Sequence, residues 1–242
     1  MKSTEELLTR VMNRLAERFK DQLVLKGGML LRLYNSPRAT QDIDFVLLTK
    51  ESKKIWKEYL VEALNDLEDV KVDEVDQNSR GIFIDIEDSE GSLKAMIEIN
   101  VLPSTQLPTE PLSTAPLAQK YSLSGRVITS MAIPEAFAHK IAATLERDAV
   151  RDLYDLSQME AMGPFDQSAL EMRLSKLYIN RARPQAVSIS EAAGMLRKKV
   201  EALEQKTIDK ELNPFLPPEF RTGVLGVIRA SVGRLIQRME TR

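Results

Sequence analysis

The stretch "DIDFVLL", Asp42 to Leu48, places the tightest limit on what this chain can fold into. It is an apolar run of strand length that carries two aspartates one residue apart at its start. Residues i and i+2 of a strand point to the same face. Asp42 and Asp44 therefore stand side by side, while Ile43 and Phe45 turn the other way into a core. Two such charges repel, and burying them unpaired is costly. A strand tolerates them where they lie at its end and share a cation. Their hard oxygens suit Mg²⁺, which binds through one or two carboxylates together with substrate phosphates.

Upstream, "QLVLK" predicts a short strand that stops at Gly27-Gly28, and "MLLRLY" predicts one or two helical turns ended by "NSP" at Asn35 to Pro37. Glycine lets a backbone turn tightly and approach a ligand closely. Backbone N–H groups at such a turn can receive an anion. Gly-Gly alone is a turn, and a lone Asp-x-Asp is common on surface strands. Together on consecutive elements, with 13 residues between Gly28 and Asp42, they point to a phosphate at the glycines and a metal at the aspartates. That arrangement serves phosphoryl or nucleotidyl transfer.

The rest of the chain divides by periodicity. Leu7, Leu8, Val11, Leu15 and Phe19 recur at helical spacing behind Ser3-Thr4, which predicts a capped amphipathic helix. "KESKKIWKEYLVEALNDL" predicts a helix with Ile55, Tyr59, Leu60 and Leu64 inward, and Trp56 and Tyr59 in the core. Three strand-like runs follow, "VKVDEV", "RGIFIDIE" and "LKAMIEINVL", the last two joined by the turn residues "DSEG" as a hairpin. "TQLPTEPLSTAPL" reads as a proline-rich loop and "RVITS" as an edge strand. Beyond Ser130 only helical patterns occur: "IPEAFAHKIAATLERD", "RDLYDLSQME", and stretches near 166–178, 188–205 and 218–240. In the last, Phe220, Val224, Ile228, Val232, Leu235 and Met239 form an apolar stripe. The expectation is an α+β chain, with a mixed-sheet core flanked by helices over 1–131 and a helical domain over 132–242.

Composition adds exclusions. The absence of cysteine removes disulfides, thiolate metal sites and a cysteine nucleophile, and agrees with a reducing cytoplasm. The charged first twenty residues do not read as a signal peptide, and no apolar run approaches a membrane span, so no membrane partner is expected. Net charge is -2, but Asp166–Arg242 holds 14 Lys+Arg against 9 Asp+Glu, or +5, leaving 20 against 27, or -7, for the remainder. The basic end fits either a polyanionic partner or solvated helix faces. "RKK" at 197–199 with Arg181, Arg183, Arg229, Arg234 and Arg238 would form the track for an RNA backbone.

The segment "LKGGMLLRLYNSPRATQDIDF" resembles the AbiEii-type nucleotidyltransferases, a branch of the DNA-polymerase-β-like superfamily. The superfamily pattern is a Gly-Gly or Gly-Ser turn, a spacer and Asp-x-Asp or Asp-x-Glu; the branch adds an Arg and a Ser/Thr ahead of the acids, here Arg38 and Thr40. A second block, "AHKIAATLERDAVRDLYDL", resembles the branch's helix with a Lys, then an Arg, then R-D-x-x-D. The resemblance implies an NTP substrate with Mg²⁺, a toxin of a toxin–antitoxin or phage-abortive pair with a cognate antitoxin, and, as in some members, transfer to the 3′ end of tRNA. It implies that Asp42 and Asp44 bind metal, that Gly27 and Gly28 form the phosphate turn, and that Arg38 and Thr40 belong to the nucleotide site. Lys140 then contacts phosphate or base, and Asp152 is an acid of the catalytic site.

The residues of the second block also read by themselves. Lys140, Thr144 and Arg147 fall on one helix face, able to meet a triphosphate, and Asp152 and Asp155 share a face of the next helix. The alternative is that Lys140 and Arg147 simply pair with Asp152 and Asp155 across the helix junction. A third carboxylate is expected on a neighbouring strand; Glu98 is the first candidate and Asp85 the second, with Asp152 as substitute base if neither serves. Arg38 is close enough to pair with an aspartate or a phosphate, and His139, beside Lys140, reads as packing. Two other functions compete: transfer to a small-molecule or protein hydroxyl, and a non-catalytic nucleotide-binding relative.

Overall fold

A computed structural model describes residues 1, 3–179 and 183–241; Arg181 of the expected basic track lies outside them. The chain divides into two compact units, Met1–Met131 and Ala132–Arg242.

In the first unit, β1 (Leu23–Lys26), β2 (Asp42–Leu48), β3 (Val70–Gln77), β4 (Gly81–Asp88), β5 (Lys94–Leu102), β6 (Glu110–Ser113) and β7 (Val127–Ser130) form one mixed sheet in the order β3-β4-β5-β2-β1-β7-β6. β2 runs antiparallel to β1 and parallel to β5, and the β4–β5 pair is the expected hairpin. The helices are α1 (Thr4–Phe19), α2 (Gly27–Leu33), α3 (Lys53–Asn65) and the short α4 (Ala115–Ala118). Ser3 caps α1 by accepting a hydrogen bond from the Glu6 N–H at 3.2 Å. Leu7, Leu8, Val11, Met12 and Leu15 of α1 are fully buried, as are Ile43, Phe45, Ile82, Ile84, Ile97 and Ile99 on alternate positions of β2, β4 and β5. On the opposite face Asp42, Asp44, Phe83, Met96 and Glu98 are partly open, while Val46 is buried.

Three expectations for this unit are corrected. "RVITS" is not at the edge: β7 lies between β1 and β6. β6 forms within the proline-rich stretch, where a proline is tolerated because the strand is at the margin of the sheet. In α3 the buried face is Trp56, Leu60, Ala63 and Leu64, whereas Ile55 and Tyr59 are 42% and 44% exposed. The helix is rotated because Trp56 packs on Phe19, with ring centroids 5.6 Å apart, and donates its indole N–H to Thr49 Oγ1 at 3.0 Å.

The second unit contains α5 (Ile133–Glu146), α6 (Val150–Met162), α7 (Gln167–Leu174), α8 (Ile189–Glu201), α9 (Gln205–Glu211) and α10 (Val224–Glu240). α10 starts later than the apolar stripe implied. Gly223 is its N-cap with φ of 76°, and Phe220 sits outside the helix, half exposed. No helix among the described residues is long and apolar enough to cross a membrane.

Candidate active site

The site of the first unit is assembled by the pairing of β1 with β2. The antiparallel register sets Lys26, the last residue of β1, opposite Asp44, and Lys26 Nζ lies 3.6 Å from Asp44 Oδ1. The chain then turns at Gly27, whose φ is +70°. A methyl group there would land on Asp44 Oδ2 and within 2.7 Å of its Cγ, so only glycine leaves room for the carboxylate. A methyl on Gly28 would come within 2.8 Å of Thr40 Oγ1 and 3.2 Å of an Arg38 guanidinium nitrogen. The glycine corner, Arg38, Thr40 and the acids therefore occupy one place.

Thr40 and Arg38 are both buried. The Thr40 hydroxyl donates to Asp42 Oδ1, which orients that carboxylate, and Arg38 donates to the Ala39 carbonyl at 3.0 Å. Behind the loop, Arg32 of α2 donates to the Ser36 carbonyl and, at 2.6 Å, to Glu5. Burial raises the Glu5 carboxyl pKa, but hydrogen bonds from Lys120 and Tyr121 and the Arg32 charge outweigh it and bring it below its usual value. Glu5 thus remains an anion and braces the α2 loop.

Asp42 and Asp44 share the open face, with Ile43 buried between them. On β5, Glu98 is the register partner of Asp44 and accepts a hydrogen bond from the Asn100 amide at 3.2 Å. Asp85 is set farther away, in the row of Met96 and Asp42 and two strands from Asp42. Among the described residues no cluster of three or more acidic or histidine side chains could hold a metal. The Asp42–Asp44 pair offers two hard donors beside the glycine corner, which fits Mg²⁺ bound jointly with substrate phosphates.

The second block forms its own cluster in the helical unit. Asp152 and Asp155 of α6 are wholly buried. Lys140 Nζ bridges them, 3.2 Å from Asp152 Oδ1 and 2.9 Å from Asp155 Oδ2. Arg147 grips Asp152 with two nitrogens, at 2.7 and 3.0 Å. Arg147 is not on the helix face with Lys140: it is the C-cap of α5 in extended backbone, and Thr144 spends its hydroxyl on the Lys140 carbonyl. Burial pushes the Asp152 carboxyl up, but the Lys140 charge and the Arg147 bonds prevail and bring it to about 2. Such a group is a poor proton acceptor at neutral pH. His139 lies 3.8 Å from the buried Glu135. Of the basic residues read as a track, Arg197 pairs with Glu240, Lys199 with Asp148, Arg234 and Arg238 with Glu160, and Arg229 donates to the Leu203 carbonyl.

Lys26 was not singled out by sequence. Its place depends on β1 and β2 being neighbours, and the only local signal was its position next to Gly27.

A strand ending in a glycine corner, packed on an Asp-x-Asp strand of a mixed sheet and followed by a helical region, is the layout of a nucleotidyltransferase. The family model for "Nucleotidyl transferase AbiEii toxin, Type IV TA system" matches residues 10–224. The chain belongs to this family. Its fold is similar to MenT4, a nucleotidyltransferase toxin from Mycobacterium tuberculosis H37Rv, at 19% identity and a TM-score of 0.62, covering 98% of this chain and 86% of that one. It is also similar to JHP933 from Helicobacter pylori, at 14% identity and a TM-score of 0.53, covering 98% and 94%. A putative nucleotidyltransferase from H. pylori matches at 13% identity and a TM-score of 0.55, covering 98% and 95%. At these identities the likeness is one of fold. No curated protein sequence matches the chain.

Proposed function

We propose that this nucleotidyltransferase moves a nucleoside monophosphate from an NTP to the 3′-terminal hydroxyl of tRNA, with Mg²⁺ held by Asp42 and Asp44. The observation that carries the reading is the seating of the Asp44 carboxylate in the space that Gly27 leaves by lacking a side chain. It brings acid and backbone corner to one point, where metal and phosphate must meet. Bound there, Mg²⁺ would neutralise phosphate charge and acidify the attacking hydroxyl.

The chain's residues do the rest. Lys26 and Arg38 supply positive charge beside the corner, and Thr40 holds Asp42 in orientation. The acceptor oxygen bonds to the α-phosphorus, the bond to the bridging oxygen breaks, pyrophosphate leaves, and Glu98 takes the hydroxyl proton. We assign Lys140 to phosphate binding and Asp152, Asp155 and Arg147 to holding it in place, with 1–131 as catalytic domain and 132–242 as helical domain. The basic surplus of Asp166–Arg242 and the exposed Arg183 and Lys198 favour tRNA over a small acceptor. As a toxin of this family the protein would act in the cytoplasm, where NTPs and tRNA are, under control of an antitoxin.

The test is to incubate the purified protein with each labelled NTP, Mg²⁺ and total tRNA, beside Asp44→Ala. Label on tRNA, lost in the variant, is the expected result. Label on protein or small molecules gives a different acceptor, and bound nucleotide without transfer would end the catalytic reading.

A further inference from the structure

The open face of the sheet carries a transverse row whose order has a directional meaning. Register places Lys26 of β1, Asp44 of β2, Glu98 of β5, Phe83 of β4 and Asp76 of β3 side by side. The next row is Asp42, Met96, Asp85 and Glu74. Phe83 and Met96 are thus diagonal neighbours on adjacent strands, and Met96 is directly beside Asp42. Both are partly exposed, while Ile82, Ile84, Ile97 and Ile99 on the reverse face are completely buried. In these two rows every other side chain is charged. An aromatic ring and a thioether have been left together, partly open to solvent, in an acidic field.

The geometry of transfer says which substrate would meet them. In phosphoryl transfer the attacking and leaving oxygens lie roughly in line across the phosphorus. Lys26 and Arg38 put positive charge beside the glycine corner, so the pyrophosphate is drawn out on that side. The attacking hydroxyl must then arrive from the opposite side, over β5 and β4. Strands are spaced by ~4.8 Å, so Phe83 lies ~10 Å from Asp44, within the span of one nucleoside whose hydroxyl is at the metal. A base has no charge and stacks on an aromatic face regardless of its identity. The surrounding acids repel phosphodiesters, so this shelf takes a base and turns the rest of the strand away from the acid rows.

We propose that Phe83, with Met96, is the stacking platform for the terminal nucleobase of a nucleic-acid acceptor, and that Glu98 between platform and metal receives the proton of its hydroxyl. The proposal rests on the nucleotidyl-transfer reading and names the binding site of its second substrate.

The test measures steady-state transfer by the full chain with its best NTP, Mg²⁺ and total tRNA, for wild type and Phe83→Ala, Phe83→Leu and Phe83→Tyr. Phe83→Ala should raise the KM for tRNA about tenfold, as loss of one base stack does. The KM for NTP should stay within about twofold, which also certifies that the variant is folded. Phe83→Tyr should restore the acceptor KM and Phe83→Leu should not, since leucine keeps the bulk but loses the ring. An unchanged acceptor KM in Phe83→Ala, full rescue by leucine, a rise confined to NTP, or wild-type label on protein instead of tRNA would each overturn the platform. A wild type as inert as Asp44→Ala would instead remove the nucleotidyl-transfer reading on which it stands.

Discussion

Substituting Gly27 separates the catalytic corner from ordinary backbone strain. Gly27→Ala imposes two penalties. One is the positive φ of +70°, which costs a side-chain-bearing residue about 1–2 kcal/mol. The other is the overlap of the new methyl with Asp44, whose Cγ and Cβ lie 2.7 and 2.8 Å from its ideal position. Normal contact needs about 3.5 Å or more, so the carboxylate must retreat by about 1 Å. A displacement of that size at a reacting centre costs about a hundredfold in rate. Gly223→Ala is the matched control: its φ is +76°, and nothing lies within 4 Å of a methyl there. Gly223→Ala should lose about 1–2 kcal/mol of stability in thermal or urea melts, and Gly27→Ala at least as much because of the added overlap. Only Gly27→Ala should lose about a hundredfold in nucleotide transfer, measured below both melting temperatures. Transfer by Gly27→Ala within a few fold of wild type, or an equal loss in Gly223→Ala, would refute the view that the corner exists to receive Asp44.

Two further outcomes are expected. Thr40→Val removes the hydroxyl that donates to Asp42, and should raise the Mg²⁺ concentration for half-maximal transfer about ten- to a hundredfold, as loss of an outer-shell partner does; a metal titration with unchanged midpoint would show that Thr40 does not orient the ligand. Asp152, brought to about 2 in the fold, makes a pH-dependent contribution to stability. A depressed carboxyl stabilises above its unfolded value near ~3.9 and loses that contribution as pH falls through the window to about 2; the shift corresponds to roughly 2–3 kcal/mol. Denaturant melts of Asp152→Asn should therefore show lower stability at pH 7 and a shallower loss between pH 5 and 2; a slope equal to wild type would mean the Lys140–Asp152–Arg147 cluster does not have the strength assigned to it.

How much of this was readable beforehand follows from the range of each interaction. The alternation of "DIDFVLL" sends Asp42 and Asp44 to one side and Ile43 to the other wherever the strand is placed, because side-chain direction in a strand is local. The same holds for "LKAMIEINVL", whose Ala95, Ile97 and Ile99 are buried and whose Glu98 is on the other face. Where a side chain's surroundings come from distant segments, local pattern was a poor guide. Tyr59 matched the helical period but is exposed, because the packing of Trp56 against Phe19 sets the rotation of α3. Arg147 matched the period of α5 but follows its end, where the backbone is extended and the side chain turns to Asp152.

Sequence alone determined the ingredients and the class: a glycine corner and paired acids at a spacing that marks the nucleotidyltransferases, and a switch from strand to helix periods after Ser130. These are short-range properties, fixed by backbone sterics and side-chain alternation. Only tertiary structure decided that β7 lies inside the sheet, that Lys26 faces Asp44, and that Glu98 and Phe83 continue the acid's row. Strand order and register are settled by hydrogen bonding and burial between segments tens of residues apart, and no local pattern contains them.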